Sequence, residues 1–516
     1  MMFLDTWWPV VTAVGCILFY LYLTWTHDYW RKKGVPYLEP KLIFGNLKDT
    51  IIGRTTIGEC VRESYLQLEG YKLGGLFKMR QPVLLLRDPE LIKTVMIKDF
   101  SNFQDNDIHV NVETDPLLGR NPFLLPGEIW KDQRARLTPG FTSVKLKQMY
   151  PLIQEVCNDL VEHLEENVAA GNLLETKTVA TKFAADSVAY CAYGLRQNSF
   201  KNPDTEFRKY GRMFLEPTFW KSVEQAILTL TPALADFLRL KFAPTEVTNF
   251  FRRMTKETAV YRKENNIKRN DYLQMLIQIM EKYEDTNNSE DKSISWYKKF
   301  TYEDIAAQAL TFFTDGYETS STALAVALYN LACNPEVQQR LHEEIDSVTE
   351  KHNGDISFEA LQEMTYLDMF IDESLRLYPQ VSVLSKLCTK PHQLPLSDGK
   401  SFTVDVGTPV IIPVLAIHHD PKYYPDPKRF DPLRFTDEEK AKRPKCTYLP
   451  FGEGPRICLG RRFALLQNKA CIANIIANYE VHKCEETPQQ LTGVPMFIIF
   501  SPKEEIWVKI VKRTDK

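Results

Sequence analysis

The chain has 516 residues, 44% hydrophobic and 25% charged, with 64 Lys and Arg against 67 Asp and Glu for a net charge of -3. Such a length holds a large core, and the near balance of charge excludes the basic excess that marks a nucleic-acid partner. The ten cysteines lie singly from Cys16 to Cys484, which suits a reducing compartment and excludes both a disulfide framework and a C-x-x-C zinc site.

From Trp7 to Trp25 the chain runs 19 residues without a charge, a helix of about 28 Å against a hydrocarbon core of roughly 30 Å. Residues 1–26 are therefore expected to form a single transmembrane helix. Arg31, Lys32 and Lys33 follow it and Asp5 precedes it, so the positive-inside rule places the body in the cytosol. A cleaved signal peptide carries its charge in the opposite order. Trp7, Trp8, Trp25 and Trp30 read as interfacial belts at the two ends of the span. Residues 27–50, with Gly34, Pro36 and Pro40, read as a basic, proline-containing hinge. Without a Gly/Ser-rich linker or an internal repeat, residues 51–516 form one large domain.

Within that domain, Gly75–Lys78 and Gln81–Leu86 predict a small hairpin, and Asp88-Pro89-Glu90 caps a helix. Trp130 and Arg134 lie one helical turn apart, an indole N–H and a guanidinium placed to grip a carboxylate. From Leu152 to Asn265 the period is mostly helical, with breaks at Pro217, Pro232 and Pro244. The polar run Glu284–Asp291 reads as an exposed loop.

Thr301, with Asp304 three residues on, opens a long helix that Asn334-Pro335 ends. Phe312, Gly316, Thr319 and Ala323 share one face of it, where glycine leaves room for a ligand and the Thr319 hydroxyl can bond back to the Asp315 carbonyl. A lone mid-helix threonine commonly does no more than that. Glu373 and Arg376 sit three apart on a later helix, a pattern that chance supplies readily. Near the end, Phe451-Gly452-Glu453-Gly454-Pro455-Arg456-Ile457-Cys458-Leu459-Gly460 cannot be helical and runs into a helix at Arg461. Cys458 thus stands at a helix N-terminus, whose N–H groups and dipole favour a thiolate and lower its pKa. Its Gly452-Glu453-Gly454 begins like a dinucleotide fingerprint, but Ile457 holds the place of the third glycine.

An isolated cysteine is most often a small buried hydrophobe. Here, however, the stretch resembles the haem loop of the cytochromes P450, Phe-x-x-Gly-x-Arg-x-Cys-x-Gly, at every fixed position. Thr314 to Ser320 resembles that family's oxygen-activation motif, with Asp315 where Ala or Gly is usual. Trp130 and Arg134 resemble its Trp-x-x-x-Arg helix. Glu373-Ser374-Leu375-Arg376 and Pro427-Lys428-Arg429-Phe430 resemble its Glu-x-x-Arg and Pro-x-Arg-Phe segments, which form a buried Glu/Arg/Arg cluster. The resemblance covers the chain from about residue 35 onward.

It implies a mainly α fold with small β-sheets, a P450 haem-thiolate domain behind the membrane anchor. Cys458 would be the axial thiolate on the iron of haem b, with Phe451 packed near the sulfur. Trp130, Arg134 and Arg456 would meet the propionates, as would Lys386, which stands where many relatives carry arginine. Glu318 and Thr319 would deliver protons while one atom of O2 enters a lipophilic substrate. Electrons would come from NADPH through the microsomal P450 reductase, with cytochrome b5 as an optional second donor. Lys442, Arg443 and Lys445 would offer that partner a basic rim. The sequence looks most like the insect microsomal enzymes of the endoplasmic reticulum, which act on xenobiotics such as plant toxins and insecticides, with endogenous lipids or hormones as the other substrate class. Two alternatives remain at this level: a reductase-independent enzyme that rearranges peroxides, and a non-catalytic haem-binding sensor. Glu373→Ala is expected to abolish haem incorporation, because it strands buried cations at a cost of roughly 3 to 5 kcal/mol; a full haem-to-protein ratio in the purified variant would contradict this.

Overall fold

Helices dominate the computed structural model, which describes residues 8–215, 218–286, 299–495 and 499–514. The longest, Tyr302–Cys333, is buried along most of its length. Its start is the expected capping box, in which the Asp304 carboxylate accepts from both the backbone N–H and the hydroxyl of Thr301 at 2.8 Å. Helices Thr176–Tyr193 and Thr245–Glu264 pack on it, and so does Arg461–Asn478, which follows the cysteine loop. The resulting helical core gathers residues as distant in sequence as Leu117 and Ile510.

The hairpin forms where expected, Leu73–Lys78 pairing antiparallel with Gln81–Leu86. Its second strand runs parallel to Pro409–Ile412, which in turn pairs with Leu384–Leu387 and extends a five-stranded sheet. Asp88 caps the next helix as predicted, accepting from Glu90 N–H at 2.8 Å. Of the polar run, residues 284–286 close the helix Tyr272–Thr286. Trp7, Pro217 and residues 287–291, named above, lie outside the described residues.

At the N-terminus, Trp8–Thr24 forms a helix of 17 residues. No helix among the described residues is long and apolar enough to cross a membrane. Trp8 and Trp25 are well exposed, at 67% and 78%. Trp30 is not an interfacial residue: it is fully buried, its indole N–H bonds to the Leu76 carbonyl at 2.9 Å, and its ring fills the space that Gly75 leaves open. The segment after it is tied down as well, since Tyr29 and Lys33 both reach Asp405 at 2.7 Å.

The buried ion cluster forms with a different third member. Glu373 and Arg376 are both fully buried and pair twice, at 2.6 and 2.9 Å. Arg434 Nε, from Pro432-Leu433-Arg434-Phe435, approaches the Glu373 carboxylate at 3.5 Å. Arg429 is exposed, and only its backbone carbonyl faces Arg376. The Pro-x-Arg-Phe pattern occurs twice within nine residues, Pro427–Phe430 and Pro432–Phe435, and the second copy carries the buried guanidinium. Arg434→Ala is therefore expected to destabilise the protein by about 3 kcal/mol, the effect of stranding a buried charge, and Arg429→Ala by less than about 0.5 kcal/mol. Urea unfolding of the two variants separates them; equal midpoints would refute the assignment.

Candidate active site

The loop before Cys458 is fixed by backbone conformations that suit glycine. Gly452 and Gly454 have φ of 70° and 75°, the left-handed region that costs other residues free energy. A Cβ on Gly454 would also lie 2.1 Å from the Met96 carbonyl oxygen. The turn closes through Cys458 N–H to the Phe451 carbonyl at 2.9 Å. The Arg461 guanidinium lies 5.8 Å from the centre of the Phe451 ring.

Cys458 and Asp315 on the long helix are both open to solvent-sized molecules, and they lie close enough for the carboxylate charge to act on the thiol. Two reachable groups this close, one from the loop and one from the long helix, leave an open cavity between them. The Asp315 charge and the Arg134 charge both act on the thiol, so loop, long helix and the helix Gly127–Leu137 meet around one space. The helix-terminus effect expected for Cys458 is present, with the N–H groups of Gly460 and Arg461 pulling its pKa down. Burial outweighs them, and the free thiol is raised overall; coordination to a metal ion would deprotonate it.

The cations expected to meet a carboxylate crowd one another. Arg456 is pushed down to about 10, chiefly by burial, with Arg134 adding to the effect against the attraction of Asp105. Lys386 is pushed down to about 7 by burial and then by Arg456. Asp105 is the carboxylate at hand, 3.5 Å from Arg456. Lys386 Nζ donates to Asn106 Oδ1 at 2.9 Å, and Arg456 Nη2 to the Leu125 carbonyl at 2.7 Å. Arg456 also lies over the Trp130 ring at 4.3 Å, while its buried Nε has no partner among the described residues. Crowded, desolvated cations with an unused donor fit a ligand that brings carboxylates.

Thr319 and Glu318 are adjacent in sequence but face different surroundings. The Thr319 hydroxyl donates to the Asp315 carbonyl at 2.6 Å, the back-bond expected of it. Glu318 is buried and held from behind: Lys177 Nζ donates to its Oε1 at 2.8 Å, and also to Ser321 and Thr322 at 2.9 and 2.6 Å. Sequence reasoning missed Lys177, which lies 141 residues from its partner in another helix and belongs to no local pattern. It also missed Asn121, which donates to the Asp315 carboxylate at 3.2 Å.

The Cytochrome P450 family model matches residues 35–509. The chain belongs to the cytochrome P450 family. It is 37% identical to cytochrome P450 9e2 of Blattella germanica over 539 aligned positions that cover 100% of both chains. Cytochrome P450 6k1 of the same species is 36% identical, with 98% of this chain and 97% of that one covered, and cytochrome P450 6B7 of Helicoverpa armigera is 34% identical over 98% of each. Membership makes the protein a haem-dependent monooxygenase, an oxidoreductase that uses O2. The cavity beside Cys458, with its crowd of cations, fits haem.

Two glycines of this P450 should respond oppositely to the same change. Gly454→Ala meets both a left-handed backbone and the Met96 carbonyl, so the variant is expected to purify with little haem. Gly316 is ordinary helix, and its Cβ would meet Val188 at 3.4 Å, a normal contact. Gly316→Ala should hold or raise the melting temperature, alanine being better in a helix by roughly 1 kcal/mol. Haem-to-protein ratio and thermal unfolding check both; full haem in Gly454→Ala would refute the account of the loop.

Proposed function

We propose that the protein is a membrane-bound P450 of the insect detoxifying type, which oxygenates lipophilic xenobiotics with electrons from NADPH passed on by a reductase. The observation that carries this reading is that Arg134, Lys386 and Arg456, from three separate elements, come close enough to act on one another or on Cys458. Cys458 Sγ is the residue to ligate iron, and Phe451 shields its loop. Arg134, Lys386, Arg456 and the Trp130 indole hold the two propionates, replacing the mutual repulsion of the cations with ion pairs. Haem b, once bound, supplies activation of O2 and insertion of one oxygen atom into a C–H bond.

The chain contributes positioned protons. Thr319 Oγ1 has its hydrogen on the Asp315 carbonyl, a bond within one helical turn that is easily exchanged for one to water in the cavity. Glu318, behind the same turn, is the group that restores that proton, and Lys177 keeps its carboxylate oriented. Of the residues assigned to the reductase face, Lys445 is exposed and Lys442 pairs with Glu439. Arg443 instead packs over Tyr424 at 4.8 Å and donates to the Arg434 carbonyl, so the docking charge rests on the lysines. Residues 1–26 are the membrane anchor and 27–50 its link to a domain running from 51 to 516. Support comes from Ile17, Leu18 and Phe19, each more than half exposed on the N-terminal helix, an unusual state in water. Relatives from Blattella germanica, Helicoverpa armigera and Musca domestica support the insect type, and Arg31, Lys32 and Lys33 after the apolar run support a place on the cytosolic side of the endoplasmic reticulum.

The reduced protein is expected to bind carbon monoxide with the long-wavelength band of thiolate ligation, and Cys458→Ala to lose it; a band that survives this change would overturn the reading. With reductase and NADPH, Thr319→Ala should keep the band yet lower product formed per NADPH consumed roughly 10-fold or more.

A further inference from the structure

Asp315 occupies the cavity wall opposite no counter-charge. Its two carboxylate oxygens accept from Asn121 Nδ2 at 3.3 and 3.2 Å, and one also accepts from the Thr314 hydroxyl at 3.0 Å. Both donors are neutral. Among the described residues Asp315 makes no ion pair, and Arg134, whose charge acts on Cys458, is not among the groups that act on it. Burial consequently pushes its carboxyl up to about 6.

The arrangement is built rather than accidental. Asn121 is 4% exposed, and its own oxygen accepts from Phe123 N–H at 2.8 Å, which fixes the amide so that its N–H2 points at Asp315. Tyr272, on whose phenol the Asp315 charge acts, packs against Phe312 at 4.9 Å, and Phe312 against Phe463 at 5.2 Å. One side of the carboxylate is thus bonded to a rigid amide, Tyr272 lies near enough to feel its charge, and Asp315 remains exposed. An anion bonded only by neutral donors is costly, and a cation delivered by a ligand removes that cost.

We propose that Asp315 makes this cavity selective for lipophilic amines, bound as ammonium ions whose N–H donates to the carboxylate beside Asn121. The proposal rests on the haem-thiolate reading above and adds the substrate class to it. Asp315 is then a specificity-determining residue, holding the ammonium end while the apolar remainder of the ligand lies along the cavity.

The test uses the full chain with haem bound and two probes of the same shape, dimethyl(4-phenylbutyl)amine and (5-methylhexyl)benzene. Equilibrium dialysis at about pH 8, where the amine is protonated and the carboxyl ionised, gives a dissociation constant for each. The preference for the amine over the hydrocarbon is expected to fall roughly tenfold, the size of one charge-assisted hydrogen bond, in both Asp315→Asn and Asp315→Ala. Asp315→Asn keeps the shape, so a folding defect in the alanine variant does not spoil the measurement. An unchanged preference in Asp315→Asn overturns the proposal, and so does a Soret band moved to longer wavelength by the amine in all three proteins, which reports nitrogen on iron instead. The carbon monoxide band is recorded first on each preparation. Its absence from the wild type overturns the reading beneath, whereas an intact band with no loss of amine preference overturns this proposal alone.

Discussion

A carboxylate with no access to water anchors the site. Glu373 is held by two guanidiniums and a backbone N–H: Arg376 takes it bidentately, Arg434 approaches from 61 residues further on, and Asp431 N–H donates to it at 2.8 Å. The cluster does more than balance charge, because Arg376 Nη1 also donates to the His418 carbonyl at 2.8 Å. His418 is fully buried, and burial together with the Arg376 charge keeps its ring neutral. Its Nε2 accepts from Leu449 N–H at 2.9 Å, so the proton sits on Nδ1, which donates to the Arg376 carbonyl. An unbroken chain of bonds therefore runs from the ion pair through one imidazole to the residue two positions before Phe451. Tyr448 reinforces it, bonding Asp372 on the same helix.

That chain fixes one side of the cavity, and electrostatics defines the other. Arg134, Lys386 and Arg456 come from a helix, a strand and the cysteine loop, and nothing in protein folding alone favours bringing them together. Each loses hydration, and each depresses or is depressed by a neighbour. Such an arrangement persists when the surrounding fold is strong enough to impose it, and it acquires a purpose when an anion binds. In the reading proposed above, haem propionates would supply that anion. Asp315 presents the opposite case on the long helix, a negative charge with neutral partners, so the cavity is polarised between its two ends.

Local chemistry was legible in the sequence, and long-range pairing was not. The Thr301 capping box, the Asp88 cap and the hairpin at 73–86 depend on residues within a few positions of one another, and each forms as read. Trp30 was misread because an aromatic residue near an apolar run satisfies the interfacial pattern equally well; its burial depends on Gly75, a side-chain-free position on a strand 45 residues away. Arg429 alone was named and the second copy of the motif, with Arg434, was overlooked, because the two copies are indistinguishable until Glu373 is placed in space. The Cys458 expectation failed in sign for a related reason. The helix-terminus contribution is local and was read correctly, whereas burial is a property of the whole fold. Lys177 and His418 carry no motif at all, and their importance arises wholly from what folding puts beside them.

The long helix shows why one element can serve several roles without interference. Successive side chains on it point about 100° apart, so Glu318 and Thr319 cannot share a face. Asp315 and Thr319, a turn apart, can, and both line the cavity side while Glu318 turns back toward Lys177. A proton moving from Glu318 to Thr319 must consequently pass around the helix rather than along a side-chain contact, through the turn whose Asp315 carbonyl the Thr319 hydroxyl occupies. The carboxylate at 315 flanks that turn. Under the two proposals above, a ligand cation at Asp315 would alter the field at the threonine hydroxyl, so that substrate binding and proton supply would act on the same half-turn of backbone.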